Sequence, residues 1–550
     1  MSKHRLSPAP LPPPKKIHLS EQTPQSSSSS QSSFDSLSDE LILCIFARLS
    51  FADLCACQAT SVNWYRLAAD NELWRNLYIG AFGRPRLRGA RGFIGRTDGR
   101  EVKSLPGRAK IEDLKDWKWM FRISSNWKNG RCAMEDMRPL VQGLGTEPPK
   151  QSHMLLAGSL TITATSESSS CPLIYLQNVI GDEHTLACPT VQSAHVTALA
   201  LDQSAPSSGH IRLVSFLSSG DFIVFSVNHN HPASSIMELS HTPLRRSIRV
   251  CPIIQAVYHH PLLITLSEAF TLSIYDLSSG SAALTQTLSS FTSFPPTSLV
   301  LSTTSTATYK LVLAYAIPVY PAHWSVGATE LIIAGPASNC ELPHSSSFLA
   351  STHTPMTIIS TRTARALDVP QGWVDEKKLR LMREQWSRKV SRVADTQTDG
   401  KFVVLAPEDL GSKPYASLAS SPSSSPSSTH HASTLYSPTG LQLYRLSLPS
   451  STSISSSAPK LTFVRTLHGQ IGPVAALALS DGRCVSFGVN GSIWVWDLES
   501  TSGTAVATTL TDRSFDDVDR LANAKRSVVF DERRIVTAVN ERFVERRFDI

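Results

Sequence analysis

The apolar positions of the chain change their period along its length. Between Leu41 and Phe46 every residue is apolar, counting Cys44. Leu41, Ile45 and Leu49 line one side of a helix at i, i+4 spacing, while Ile42 and Phe46 line another. A helix that is apolar nearly all round needs cover on more than one side, and this run ends in polar sequence well short of a membrane span. Spacing and capping residues predict three short helices. The first runs from Leu37 to about Leu49, with Ser36 and Asp39 as an approximate capping box. The second runs from Asp53 to about Gln58, capped from Ser50. The third runs from about Ser61 to Ala69 with Val62, Tyr65 and Ala69 as its stripe, and Leu73 and Trp74 close the unit.

A further helix is predicted over Ile111 to about Ile123, with Leu114, Trp117 and Phe121 as its buried stripe. Asn126 to Gly130 reads as an Asn-Gly turn before an extended stretch. From about residue 150 the period becomes strand-like, with short apolar runs separated by Ser, Gly, Asn and Pro. The runs group into units: 154–163 with 173–176; 195–201, 211–216 and 222–227; 253–258, 262–266 and 272–277; 298–301, 310–316 and 330–334; 402–405 with 441–446; 474–479, 483–489 and 493–497; and 527–530, 535–539 and 543–548. A charged stretch from Asp375 to about Val393 interrupts this pattern, with Leu379, Met382, Trp386 and Val390 at helical spacing.

The pattern Leu37-x-x-x-Leu41, Ile45-Phe46, Leu49, Asp53-Leu54, Val62, Trp64-Tyr65-Arg66-Leu67-Ala68, Asp70 and Leu73-Trp74 resembles an F-box. Ser38 departs from it where the family usually has proline, which removes a pre-set φ at the first helical position. The resemblance implies a three-helix module that docks on a Skp-type adaptor and so joins a cullin–RING ubiquitin ligase. It names Leu37, Leu41, Ile45, Phe46, Leu49, Leu54, Trp64, Leu73 and Trp74 as the expected adaptor-binding residues. Some of these are candidates for the module's own interior instead. So few residues bury too little surface to be stable alone.

His468-Gly469, Val474–Leu479, Arg483–Val489, Asn490-Gly491 and Ile493-Trp494-Val495-Trp496-Asp497 resemble one tryptophan–aspartate repeat, a β-propeller blade. The resemblance assigns structural roles to His468, Gly469, Asn490, Trp496 and Asp497. In the family a His–Ser–Asp–Trp hydrogen-bond chain ties the blade together. Here Gly488 and Asn490 are expected at the serine and aspartate positions, so that chain is expected to be partial. The other units are more degenerate. The expected fold is therefore a multidomain chain: a small all-α F-box module followed by an all-β propeller of about seven blades with disordered insertions. The expected boundaries are a Pro/Ser-rich disordered tail over 1–33 and the F-box over 34–80. A basic linker and helical connector follow over 81–150. The propeller fills 151–550, with a helical insertion near 374–394 and disordered loops near 411–434 and 449–458. Ring closure by a strand from before residue 150 would remove a sheet edge.

Composition adds limits. The 550 residues allow two or more domains, and a 41% apolar fraction allows a real core. Charged residues make up 18%, below the usual ~25%, with Ser, Thr and Pro in their place. A formal charge of +7 is mild for this length and does not argue for a nucleic-acid partner. Residues 84–110 hold nine basic against two acidic residues; a solvated connector is favoured over a phosphate-binding arm, because almost no aromatic residues interleave with the arginines for base stacking. Lys15-Lys16 after three prolines is a weak candidate for a nuclear signal, and a solvated linker is favoured because two lysines make a poor basic cluster. Nine cysteines without paired metal-ligand spacing, and a start without an apolar leader, lead us to expect a soluble protein of the cytoplasm and/or nucleus, away from membranes.

No phosphate-binding Gly-rich loop and no His-Glu-x-x-His is present, and the pairs His259-His260 and His430-His431 suit neither a metal nor catalysis. No cofactor and no catalytic residue are expected. Arginines at 245, 246, 249, 533 and 534 are too loosely placed by degenerate repeats to be assigned to a ligand. The function expected from the resemblance is a non-catalytic substrate receptor of a Skp–cullin–F-box ligase, with the F-box on the adaptor and the propeller on an unidentified protein. The alternative is an adaptor-bound propeller scaffold outside any ubiquitin ligase.

Overall fold

A computed structural model of the protein describes residues 37–83, 116–137, 152–178, 183–204, 209–243, 251–305, 308–319, 322–335, 356–367, 372–408, 440–448, 458–470, 472–507, 525–539 and 542–550. The expected tail, the basic linker, Leu114, the arginines at 245, 246 and 249, and nearly all of the two Ser/Pro-rich loops lie outside them. The described residues form two compact units, one ending at Leu73 and one beginning at Trp74.

In the first unit, α1 spans Asp39–Phe46, α2 Phe51–Gln58 and α3 Val62–Ala68. Ser38, not Ser36, is the N-cap of α1, with extended backbone and no side-chain cap bond. The expected capping box appears at α2, where the Ser50 hydroxyl accepts from Asp53 N and the Asp53 carboxylate accepts from Ser50 N. These paired bonds satisfy two donors that a helix start otherwise leaves open. Ser61 caps α3 by accepting from Trp64 N. The stripe expected on α3 is rotated. Leu67 and Ala68 are buried, whereas Val62 is 89% and Tyr65 57% exposed, because the helix packs through its C-terminal turn.

Helix α4 spans Asn71–Tyr78, so that the boundary between the units falls within it, and a π-turn over Ile79–Gly83 follows. Helix α5 covers Trp117–Asn129, longer at its C-terminus than expected. The residues read as an Asn-Gly turn are its last turn. Gly130 is the left-handed C-cap at φ +67, and Arg131 N closes the end onto Asn126 O at 2.9 Å. A Cβ at Gly130 would also lie 2.4 Å from the Ala505 carbonyl oxygen.

Seven four-stranded antiparallel sheets follow, as the repeat count predicts. The first strands of the blades are Ser152–Ala157, Val196–Leu201, Ile253–His259, Phe294–Ser305, Val393–Thr398, Val474–Ser480 and Arg526–Phe530. Each neighbours the next around a closed ring, the last returning to the first. The middle strands are buried on both faces, as in Phe222–Asn228, whereas fourth strands such as Ala283–Ser289 are largely exposed. The seventh blade takes its fourth strand from the N-terminal side. Ala133–Met137 pairs with Arg542–Arg547, with Glu135 opposite Glu545. Closure by a strand from before residue 150 is therefore present.

Helix α6, Glu376–Trp386, is shorter than the charged stretch suggested. It lies between the fourth and fifth blades. The fifth blade is complete, with Val393–Thr398, Phe402–Pro407, Leu441–Ser447 and Lys460–Leu467.

Candidate adaptor-docking surface and blade scaffold

Helix α1 carries two apolar faces with different fates. Ile42 is 4% and Phe46 2% exposed, and Phe46 meets Trp64 edge-on with ring centroids 5.4 Å apart. Leu54 is fully buried. Gln58 Nε2 donates to Ala68 O at 3.0 Å, tying α2 to the end of α3. Asp39 and Arg66 form an ion pair across α1 and α3, exposed enough to contribute at most about 1 kcal/mol.

With that interior filled, Leu41 remains 53% and Ile45 45% exposed. They line an open, almost wholly apolar concavity with Leu37, Cys44, Arg48 and Leu49. Of the residues expected at the adaptor, the structure thus brings Leu37, Leu41, Ile45 and Leu49 to one open surface. Phe46, Leu54, Leu73 and Trp74 are buried, and Trp64 is half-buried behind Phe46. The i, i+4 pattern identified both faces but could not say which one the module keeps. Cys44 and Arg48 complete the concavity. Helical spacing from Leu41 and Ile45 places both on that side.

Trp74 packs edge-on against Phe121 of α5 at 5.8 Å, with the Lys118 ammonium 5.5 Å from its ring centre. Tyr78 on Trp117 and Phe82 on Phe121 extend this aromatic cluster, at 5.4 and 5.3 Å. Trp74, Tyr78 and Phe82 recur every four residues, a helical signal continuing past the expected end of the module.

Helix α5 is fixed to the propeller through its own aromatic. Trp127 stacks on Phe548 at 3.8 Å, the Arg483 guanidinium covers the ring at 4.3 Å, and Trp127 Nε1 donates to Glu532 O at 2.9 Å. Arg534 is 4% exposed and reaches Asp531 and Glu545, while its Nη2 donates to the Gly158 and Leu160 carbonyls. It joins the seventh blade to the first and is spent on that joint. Arg533 lies over Trp119.

The sixth blade holds the hydrogen-bond chain in shifted positions. Trp496 Nε1 donates to Ser486 Oγ at 2.9 Å, and Ser486 Oγ donates to Gln470 Oε1. Ser486, not Gly488, is therefore the serine, and Gln470, two residues beyond His468, takes the place expected for histidine. A two-residue slip keeps the strand face, so the pattern alone could not separate the candidates. His468 is exposed. Gly469 sits at φ +145, where a Cβ would lie 2.8 Å from the Trp494 ring. Asn490 accepts from Ser492 N within its turn, and Asp497 accepts from Glu499 N in the next. In the seventh blade the aligned pair is Arg546 and Thr537, joined at 3.1 Å, so a guanidinium occupies the tryptophan position.

Two groups on the first strands of their blades, His153 and Asp395, have displaced pKa values. Burial pushes the Asp395 carboxyl up to about 6 although Leu477 N, Thr396 N and Gln397 Nε2 all donate to it. Burial, with His195 nearby, pushes His153 down to about 4. Its side chain is half-buried. Among the described residues no cluster of His, Cys, Asp or Glu is arranged to hold a metal, and no helix is long and apolar enough to cross a membrane.

No curated protein sequence matches the chain. Similar solved structures include the Myceliophteria thermophila Cps50 (Swd1) beta-propeller domain, at 8% identity and TM-score 0.38, covering 75% of this chain and 99% of that one. The computationally designed Ika8 protein is similar at 12% identity and TM-score 0.32, covering 75% and 99%. The F-box-like family matches residues 34–80, and the F-box protein pof12 beta-propeller family matches residues 177–542, more than half of the chain. With seven blades behind a helical F-box region, the chain belongs to the F-box protein pof12 beta-propeller family.

Proposed function

We propose that the protein is the substrate-recognition subunit of a Skp–cullin–F-box ubiquitin ligase. The concavity of Leu37, Leu41, Ile45 and Leu49 would hold a Skp-type adaptor, and the propeller would hold the protein to be ubiquitinated. The observation that supports this most is the division of α1. Ile42 and Phe46 fill the module, while Leu41 and Ile45, two large aliphatic side chains, stay at 53% and 45% exposure one turn apart. Apolar surface of that kind, in a module the family match assigns to F-boxes, fits burial by a partner. The chain itself would supply no chemistry. It would raise the effective concentration of the substrate beside a ligase that does.

The reading is tested by proximity labelling with the full chain and with a chain lacking α1 to α3, while degradation is blocked. Proteins labelled by both forms, and stabilised in cells that hold only the shortened form, are the expected substrates. A labelled set whose lifetimes are the same with either form contradicts the receptor role and favours a scaffold.

A further inference from the structure

Helix α6 carries more positive charge than its surroundings balance. Lys377, Lys378, Arg380 and Arg383 are all exposed, and among the described residues none has a carboxylate within ion-pair distance. Glu376 stands exposed beside them, and the other two nearby acids are engaged. Asp375 caps the helix by accepting from Lys378 N at 2.7 Å, and Glu384 is paired with Arg388. Beside these cations stand exposed apolar groups, with Trp373 at 87%, Leu381 at 58% and Leu379 at 40%. No residue of the helix is buried.

The helix is nonetheless firmly mounted through the segment that follows it. Trp324 N donates to Val390 O at 2.7 Å, and Val390 N returns a bond to Trp324 O at 3.0 Å. Gln442 Nε2 donates to Arg388 O at 2.9 Å, and the Arg388 guanidinium lies 4.0 Å from the Phe463 ring centre. Glu408 N donates to Arg392 O. The fourth and fifth blades thus hold the base of a helix whose charged sides are open. A surface ordered in advance costs little further entropy on docking.

We propose that Trp373 and helix α6 form the surface through which the propeller takes up an acidic protein segment bearing apolar side chains. This rests on the receptor reading and names the substrate chemistry for it. Six basic against three acidic residues between Asp375 and Lys389 leave a positive excess that favours a negatively charged occupant. Tryptophan, leucine and arginine side by side have the composition of a protein-interface centre. An anionic bilayer is the poorer fit, because a membrane-surface helix sinks a continuous apolar face, whereas Met382 and Trp386 are already half-buried here. Single-stranded nucleic acid is also poorer, since its grooves offer successive aromatic platforms and this surface exposes one indole.

The test uses the full chain bound to its adaptor. Three probes are titrated by fluorescence anisotropy or co-sedimentation: a labelled Glu/Leu peptide, phosphatidylserine-containing vesicles and an oligothymidylate. The peptide is expected to bind in a salt-sensitive way. Lys377→Glu with Arg380→Glu should weaken it at least about tenfold and transfer preference to the matching Lys/Leu peptide. Trp373→Ala and Leu381→Ser, which leave the charge intact, should weaken it less. An unchanged thermal midpoint shows that the variants remain folded. Equal peptide binding by parent and charge-reversed chains, or stronger binding of vesicles or oligothymidylate than of peptide, overturns the proposal. Adaptor retention in the same preparation reports on the receptor reading separately.

Discussion

Phe46 meets Trp64 edge-on at 5.4 Å, and this contact settles which face of α1 is turned outward. With Phe46 inside, helical geometry puts Leu41 and Ile45 at the surface. Substitutions on the two faces therefore have different consequences. Phe46→Ala should lower the module's stability by about 3–5 kcal/mol by removing a buried ring, seen as early melting of α1 to α3 in hydrogen exchange. Leu41→Ser should leave exchange near the parent value. Equal protection losses in the two variants would contradict the division of faces.

The sixth blade depends on the bond from Trp496 Nε1 to Ser486 Oγ. Trp496→Phe keeps an aromatic ring and loses that donor, at a cost of about 1–3 kcal/mol. Gly503 should be less tolerant. A Cβ there would lie 2.3 Å from the Trp496 ring, so Gly503→Ala forces the indole aside. Thermal unfolding should rank Gly503→Ala below Trp496→Phe, and the reverse order would show that the ring moves freely.

Closure of the propeller rests on Ala133–Met137. Deleting these residues leaves Arg542–Arg547 with an unpaired edge, which invites pairing with another chain. The expected result is a lower unfolding midpoint and concentration-dependent association in analytical ultracentrifugation. A monomer of parental stability would mean that the ring closes without this strand.

Asp395 and His153 act in opposite directions with pH. Asp395 has a folded pKa of about 6 against an ordinary 3.8, so the folded state holds its proton more tightly. Stability is lost as pH rises between those values. His153 has a folded pKa of about 4 against an ordinary 6.5, so stability is gained as pH rises through that window. Relative to the parent, Asp395→Asn should gain stability toward pH 6, and His153→Gln should gain it toward pH 4. Midpoints measured across that range check the two signs, and parallel profiles would show that neither burial matters.

Much of this architecture was legible because strands buried on both faces carry strong apolar runs, as in 222–227 and 262–266. The fourth strands were not. Ala283–Ser289 and Lys460–Leu467 lie at the rim, and a half-solvated strand needs few apolar residues. Val393–Thr398 was missed for the opposite reason, since an inner strand can place polar groups such as Asp395 and Gln397 in partly buried hydrogen bonds. At the docking surface, spacing found both faces of α1 but could not assign them, because Phe46 and Leu41 are equally apolar on paper. The partner inside the module, Trp64, comes from another helix and is visible only in three dimensions.

The central claim is that the outer face of α1 joins this chain to a ligase. It is tested most directly by purifying the parent chain and a Leu41→Glu, Ile45→Lys variant from cells, then measuring the retained Skp-type adaptor and cullin. The parent should retain both, and the variant neither, while its propeller melts at the parental midpoint. Retention of both partners by the variant would contradict the claim, as would a parent chain that holds the adaptor without any cullin.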